Sequence, residues 1–199
     1  MLEVEGFILV GGASSRMGTN KALLDLGGRN FVEHIHAALS SIATRTSLVG
    51  ISEASSRAWP QLRVIPDNHI NWGALGGLHA ALAACSATWA AVVACDLPFV
   101  TGEFFVRLAS FSENFDAVVP VQSDGRLQPL CALYRAEVCR ERAQELIESG
   151  ERRPRLLFQW LRTRRVAFDE LSDLEGANHF FTNINTPDDY VRAKEEIKG

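Results

Sequence analysis

The residues best placed to do chemistry lie in Gly6-Phe-Ile-Leu-Val-Gly-Gly-Ala-Ser-Ser-Arg-Met-Gly-Thr-Asn-Lys21, where an apolar run breaks into a glycine-rich loop that carries Arg16 and closes on Lys21. Gly11, Gly12 and Gly18 let backbone N–H groups approach anionic oxygens with no side chain in the way, while Arg16 and Lys21 supply positive charge. The combination suits a polyphosphate. Its spacing departs from two commoner phosphate loops. A Walker A loop places Lys directly after Gly, whereas Thr19 and Asn20 separate Gly18 from Lys21. The dinucleotide fingerprint needs G-x-G-x-x-G, which Gly11-Gly12-Ala13 does not supply. Ser14 and Ser15 have no base partner visible in the sequence, so they suit hydrogen bonding to phosphate or to the loop itself better than nucleophilic attack.

Three further sets of polar residues stand where a ligand is expected. Asp96 follows Ala90-Ala-Val-Val-Ala-Cys95, so it emerges at the C-terminal end of a buried strand, the edge at which open α/β sheets bind ligands. A carboxylate there suits Mg²⁺, which takes one or two carboxylates and fills its other positions with phosphate oxygens and water. The competing role is a cap for the turn at Pro98. Asp67 and Asn68 follow Arg63-Val-Ile65 and Pro66 in a similar position, and the glycines of segment 73–77 then open a helix. A carboxylate can accept from a base edge or a ribose hydroxyl, and glycine allows a base to lie against backbone or the chain to turn and pack tightly. Asn183 and Asn185 flank Ile184, and alternation in an extended run puts both amides on one face. There they can read a polar heterocycle or form the turn before the last helix. His34 and His36 point in different directions on a helix, and His69 and His79 lack metal spacing, so no histidine is assigned to catalysis. Arg152, Arg153, Arg155, Arg162, Arg164 and Arg165 form an arginine-rich stretch read mostly as solvated helix faces on a lobe of the domain, with an anionic ligand or a partner surface as the other reading.

The elements that must position these groups follow from the apolar pattern. Short apolar runs at residues 7–10, 47–49, 63–65, 90–95 and 117–121 alternate with segments of helical spacing, the mark of a mainly parallel sheet flanked by helices. Segment 130–134 reads as a further strand, antiparallel and at an edge. Phe31, Ile35, Ala38 and Leu39 mark one helix face, residues 75–84 a small apolar helix under the sheet, and 137–148 an amphipathic helix ended by Ser149-Gly150. Pro187 suits the first turn of a last helix with Thr186 as its N-cap and Asp188 and Asp189 at its positive end.

At 199 residues and 47% hydrophobic content the chain can bury one sizeable core, so a single α/β domain over 1–199 is expected. A net charge of −4 argues against a nucleic-acid or membrane-surface role. The four cysteines form no C-x-x-C pair and read as reduced core thiols. No apolar segment is long enough to span a bilayer and no leader pattern is visible, so a soluble, cytoplasmic protein is expected.

The pattern Leu9-x-Gly11-Gly12-x-Ser14-x-Arg16-Met17-Gly18-x-x-Lys21 resembles the signature of nucleotidyltransferases, and within them is most similar to the molybdenum cofactor guanylyltransferases. The resemblance recurs in order at Gly73-Ala-Leu-Gly-Gly77, Cys95-Asp-Leu-Pro98 and Asn183-Ile-Asn-Thr-Pro-Asp188, with Asn20 where the family often has Asp and Ala74 where it often has Pro. It implies a Rossmann-like nucleotidyltransferase sheet and transfer of GMP from GTP to molybdopterin cofactor, with Mg²⁺ as cofactor and molybdoenzymes or cofactor-handling proteins as partners. It further implies catalytic roles for Arg16, Lys21 and Asp96, with Asp96 on the metal. Nucleotide contacts fall to Leu9, Gly11, Gly12, Lys21, Asp67 and Asp96, and Asn183 and Asn185 face the pterin. Leu9-Val10-Gly11-Gly12 and Leu75-Gly76-Gly77 look more like the guanine version than the cytidylyltransferase of the same cofactor. A sugar-phosphate enzyme usually needs more chain. A non-catalytic nucleotide-binding regulator need not keep Arg16, Lys21 and Asp96 together.

Overall fold

The computed structural model describes residues 2–10, 21–52, 55–67, 69 and 72–196. Gly11, Gly12, Ser14, Ser15, Arg16 and Gly18 of the glycine loop, and Asn68, lie outside the described residues. Within them a seven-stranded sheet is built from β1 (Val4–Leu9), β4 (Thr46–Val49), β5 (Arg63–Ile65), β6 (Trp89–Ala94), β7 (Ala117–Pro120), β8 (Cys131–Arg135) and β9 (Thr163–Val166), in the order β5-β4-β1-β6-β8-β7-β9. A two-residue hairpin pairs β2 (Asp25–Leu26) with β3 (Arg29–Asn30) apart from it. Strands β5, β4, β1 and β6 run parallel, β8 is antiparallel to both β6 and β7, and β9 is parallel to β7.

Two sequence expectations change here. Strand β8 is antiparallel as expected but sits inside the sheet between β6 and β7. Its Cys131, Ala132, Leu133 and Tyr134 are all buried, which an edge strand with one open side would not achieve. Of the arginine-rich stretch only Arg155 lies on a solvated helix face. The stretch runs through a 3-10 segment, Pro154–Gln159, into β9, which completes the sheet as its edge.

Helices cover both faces because each parallel connection must cross over. Strand side chains alternate between the two layers. Ile8, Leu48, Ala91 and Val93 face one core with α1 (Phe31–Leu39) and α3 (Gly102–Ser110); Phe7, Leu9, Val49, Ala90 and Val92 face another with α2 (Gly73–Ala84) and α4 (Ala136–Glu148). Helix α1 starts where sequence chemistry favours it. The Asn30 side chain accepts from Glu33 N–H at 3.0 Å and the Glu33 carboxylate from Asn30 N–H at 2.8 Å, a reciprocal cap. Helix α2 is apolar on nearly all sides, as its small residues required, and packs against α4 as well as the sheet. Helix α4 ends at Ser149, and Gly150 takes φ +84°, the left-handed conformation that stops a helix.

A third, smaller apolar cluster matters more for the site. Leu26, Phe31, Ile184 and Ala193 are buried together, with Leu24, Phe99 and Tyr190 against them. It joins the hairpin, the start of α1 and the segment before α5 (Pro187–Glu196). The Tyr190 hydroxyl donates to the Asp25 carbonyl at 2.5 Å and reinforces the junction. Among the described residues no helix is long and apolar enough to cross a membrane.

Candidate active site

The sheet order reverses at β1. Its first connection leads to β4 on one side, and β6 lies on the other, so the C-terminal ends of β1 and β6 open a crevice of the type in which doubly wound sheets hold ligands. The two ends are in register, with Leu9 opposite Ala94, and Cys95 N–H donates to the Leu9 carbonyl at 3.0 Å, one step beyond the strand. From β1 the glycine loop leads to Lys21. From β6 the chain reaches Asp96.

Asp96 leaves β6 in a turn closed by Leu97 N–H on the Ala94 carbonyl at 3.2 Å, a backbone contact that does not use the carboxylate. Its Oδ1 is buried and, among the described residues, accepts no hydrogen bond. Burial pushes the Asp96 carboxyl above its ordinary range, against the opposing pull of the Lys21 ammonium and a backbone hydrogen bond. A buried acceptor atom with no donor is expensive unless a cation or a proton completes it. This donor chemistry fits magnesium. Among the described residues no group of three or more His, Cys, Asp or Glu side chains could hold a metal, so an ion at Asp96 would draw its other ligands from substrate oxygens and water.

The C-terminal segment comes in beside Asp96. Ile184 N–H donates to the Asp96 carbonyl at 3.1 Å, and the Ile184 side chain is fully buried in the third cluster. Burying an Ile side chain contributes about 1.5–3 kcal/mol, enough to hold the segment in place. Asn183 and Asn185 are exposed on either side of it, as the alternation predicts, although the run is extended without being a strand. The Asn183 amide donates to the Phe181 carbonyl at 3.4 Å. Lys21 Nζ donates to Asn185 Oδ1 at 2.7 Å, so the last residue of the glycine motif touches the last motif of the chain across 164 positions of sequence.

Asp67 lies just past β5, two strands from β1 along the same edge. Its Oδ1 accepts His69 N–H at 2.9 Å, shaping the loop that enters α2. Three glycines of that entry differ in role. Gly73 has φ +59°, which favours glycine, and a Cβ on Gly76 would lie 3.0 Å from the His69 carbonyl and 3.2 Å from Asp67 Oδ1. Gly77 has no such constraint, since an added Cβ would meet only Leu9 methyls at 3.6 and 3.8 Å. Leu9 itself is buried in the core under α2. The His69 and His79 rings meet edge to face at 4.8 Å, and burial, then His69, lowers the His79 pKa.

The structure thus brings Lys21, Asp96, Asn183 and Asn185 to one crevice and puts Asp67 on its flank; Gly11, Gly12 and Arg16 of the same expected set lie outside the described residues. The arginine-rich stretch is largely paired. Arg153 binds Glu151 at 2.6 Å, Arg162 binds Asp116 at 2.7 Å, Arg164 pairs with Glu170, and Arg152 lies over the Trp72 ring at 5.3 Å. All four cysteines are free, and burial raises Cys95 to about 12 and Cys139 to about 12, which makes them inert core thiols. One supporting residue was missed in the sequence. Beyond favouring a helix dipole, Asp189 accepts the backbone N–H groups of Asn185 at 3.0 Å and Thr186 at 2.9 Å, while its own N–H donates to Thr186 Oγ1 at 3.1 Å. The spacing Thr186-Pro-Asp-Asp189 carries that reciprocal cap and was its available signal.

Comparison with known proteins bears on the family and the fold. The chain is 33% identical over 195 residues, 98% of its length and 93% of the relative's, to a probable molybdenum cofactor guanylyltransferase of Pelotomaculum thermopropionicum. Its fold is similar, with TM-score 0.81 and 27% identity over 98% of both chains, to molybdopterin-guanine dinucleotide biosynthesis protein A of Archaeoglobus fulgidus. The 2-C-methyl-D-erythritol 4-phosphate cytidylyltransferase of Thermus thermophilus shares the fold at TM-score 0.71 with 19% identity over the full length of both chains. The MobA-like NTP transferase domain model matches residues 6–166, and the chain belongs to that family.

Proposed function

We propose that this nucleotidyltransferase is a molybdenum cofactor guanylyltransferase, joining the GMP moiety of GTP to the terminal phosphate of molybdopterin cofactor. A phosphate oxygen of the cofactor forms a bond to the α-phosphorus of GTP, the bond from that phosphorus to the bridging oxygen breaks, and pyrophosphate leaves with the electron pair. The attacking group is already an anion. No strong general base is required, and rate comes from alignment and charge stabilisation.

The observation that carries this reading is the buried Asp96 Oδ1 at the joined ends of β1 and β6, unpartnered among the described residues, with the Lys21 ammonium acting on the carboxylate. Magnesium held by Asp96 would neutralise phosphate charge and orient the triphosphate. Lys21 binds phosphate oxygens from the end of the glycine loop, whose amides and Arg16 complete the cradle. Asp67 and the glycine entry to α2 serve the nucleoside, and Asn183 and Asn185 face the pterin. Product would pass to molybdoenzymes or proteins that handle the cofactor.

The test is pyrophosphate release from purified protein with magnesium and molybdopterin cofactor, offered GTP, CTP and ATP in parallel. GTP is expected to be used in clear preference. Equal or better turnover with CTP would sink the guanylyl assignment while leaving the nucleotidyltransferase chemistry intact, and no release with any nucleotide would favour a binding regulator.

A further inference from the structure

The contact between Lys21 and Asn185 joins two parts of the site that the sequence motifs treat separately. Lys21 belongs to the phosphate loop and Asn185 to the segment read as facing the second substrate. Yet Lys21 Nζ lies 2.7 Å from Asn185 Oδ1, with both side chains at the surface of the crevice. We propose that Asn185 is a positioning residue for Lys21, presenting its ammonium to the nucleotide phosphates and thereby contributing to nucleotide binding before the second substrate arrives.

Three features make Asn185 suited to this. Its backbone is held from both sides. The preceding residue, Ile184, is buried and donates its N–H to the Asp96 carbonyl at 3.1 Å, and Asn185 N–H itself donates to Asp189 Oδ2 at 3.0 Å. Asp189 is steadied in turn by Arg192 at 2.9 Å and by Thr186 Oγ1, which accepts its N–H. The orienting group is also neutral. An amide oxygen accepts from the ammonium without cancelling its charge, which a carboxylate at this position would do. Finally, an ammonium has three N–H donors, so Lys21 can keep Asn185 and still donate to phosphate oxygens. A lysine otherwise carries rotamer entropy that binding must remove, and the Asn185 contact removes part of it in advance.

The inference rests on the nucleotide-binding part of the proposed function, and its test reads nucleotide affinity alone. Dissociation constants for magnesium–GTP would be measured by calorimetry, with no second substrate, for the wild type, Asn185→Ala, Lys21→Ala and the double variant, with Asn183→Ala as a control on the same face. Asn185→Ala is expected to weaken GTP by about threefold to tenfold, in the lower part of the range of coupling seen between contacting residues, and to have less than about a twofold effect once Lys21 is already Ala. Asn183→Ala should leave GTP affinity unchanged. Unchanged affinity in Asn185→Ala, or equal losses with and without Lys21, would overturn the proposal. Thermal midpoints of all variants guard against a loss through unfolding, and Asn185→Ser supplies a second, smaller replacement on the exposed segment. If the wild type prefers another nucleotide, the guanylyl reading fails, and the same cycle run with that nucleotide still decides the role of Asn185.

Discussion

Asp96 carries opposed requirements in one side chain. Burial raises its pKa, so the ionised form that a metal needs is the form the fold disfavours. The sign follows from linkage: below the ordinary carboxylate range the group is protonated folded and unfolded and costs nothing, whereas as pH rises past that range the ionised side chain costs stability. Asp96→Asn removes the charge at nearly constant shape. The metal-free variant is expected to melt at the wild-type temperature or above it at pH 7, with the difference vanishing at low pH, while transfer activity falls sharply. Near-normal turnover at low magnesium would mean that Asp96 only shapes the turn. Lys21 should fail differently. If its ammonium acts on charge that develops during transfer, Lys21→Ala lowers the single-turnover rate by on the order of 10²–10³, the scale for losing one preorganised donor, with a smaller loss of GTP affinity. Unchanged transfer at saturating GTP would reduce Lys21 to recruitment of the nucleotide.

At the scale of elements, the open question in any such sheet is what holds its last strand. Among the described residues strand β9 pairs only with β7, and its neighbouring Arg162 clamps Asp116 through Nη2 at 2.7 Å, Nε at 3.0 Å and its backbone N–H at 3.1 Å. The Asp116 carboxylate is nearly buried although the guanidinium is largely exposed, so the strong part of the contact is the hydrogen bonding and not the ion pair at the surface. Hydrogen bonds from the Arg162 side chain hold the Asp116 pKa below its usual range. A depressed carboxylate stabilises the fold fully above its unfolded pKa of about 3.9 and loses that contribution as pH falls through the lower folded value. Asp116→Ala leaves the Arg162 N–H without its acceptor and is expected to cost about 1–3 kcal/mol in urea unfolding at pH 7. The gap between wild type and variant should narrow below about pH 4. A gap independent of pH would mean that the cost comes from packing alone.

For the whole molecule, architecture and nucleotide choice separate. The cytidylyltransferase of Thermus thermophilus shares the fold at TM-score 0.71, so the fold by itself does not identify the nucleotide. That is why the comparison of GTP with CTP tests the assignment more directly than any measurement of fold or stability. Two cores pack on the two faces of the sheet, while the third cluster around Ile184 carries the C-terminal segment back to Asp96 at the end of β6.

Much of this was legible in the chain before folding because it depends on neighbours. Apolar periodicity marked β1, β6, α1, α2 and α4; Thr186 as an N-cap and the proline after it marked the start of α5; and the strand before Asp96 placed that carboxylate at the C-terminal edge of the sheet. Other features depend on residues far apart and had no local sign. An apolar run such as β8 reads alike at an edge or in the interior, and only the pairing of β6 and β7 on its two sides put it inside. An arginine is equally at home on a solvated helix or on an edge strand, and Asp116 decided the matter for Arg162. The meeting of Lys21 with Asn185 and the isolation of Asp96 Oδ1 belong to the same class. Sequence spacing sets which groups can share a face, but whether a polar atom finds a partner is settled only when distant segments close around it and exclude water.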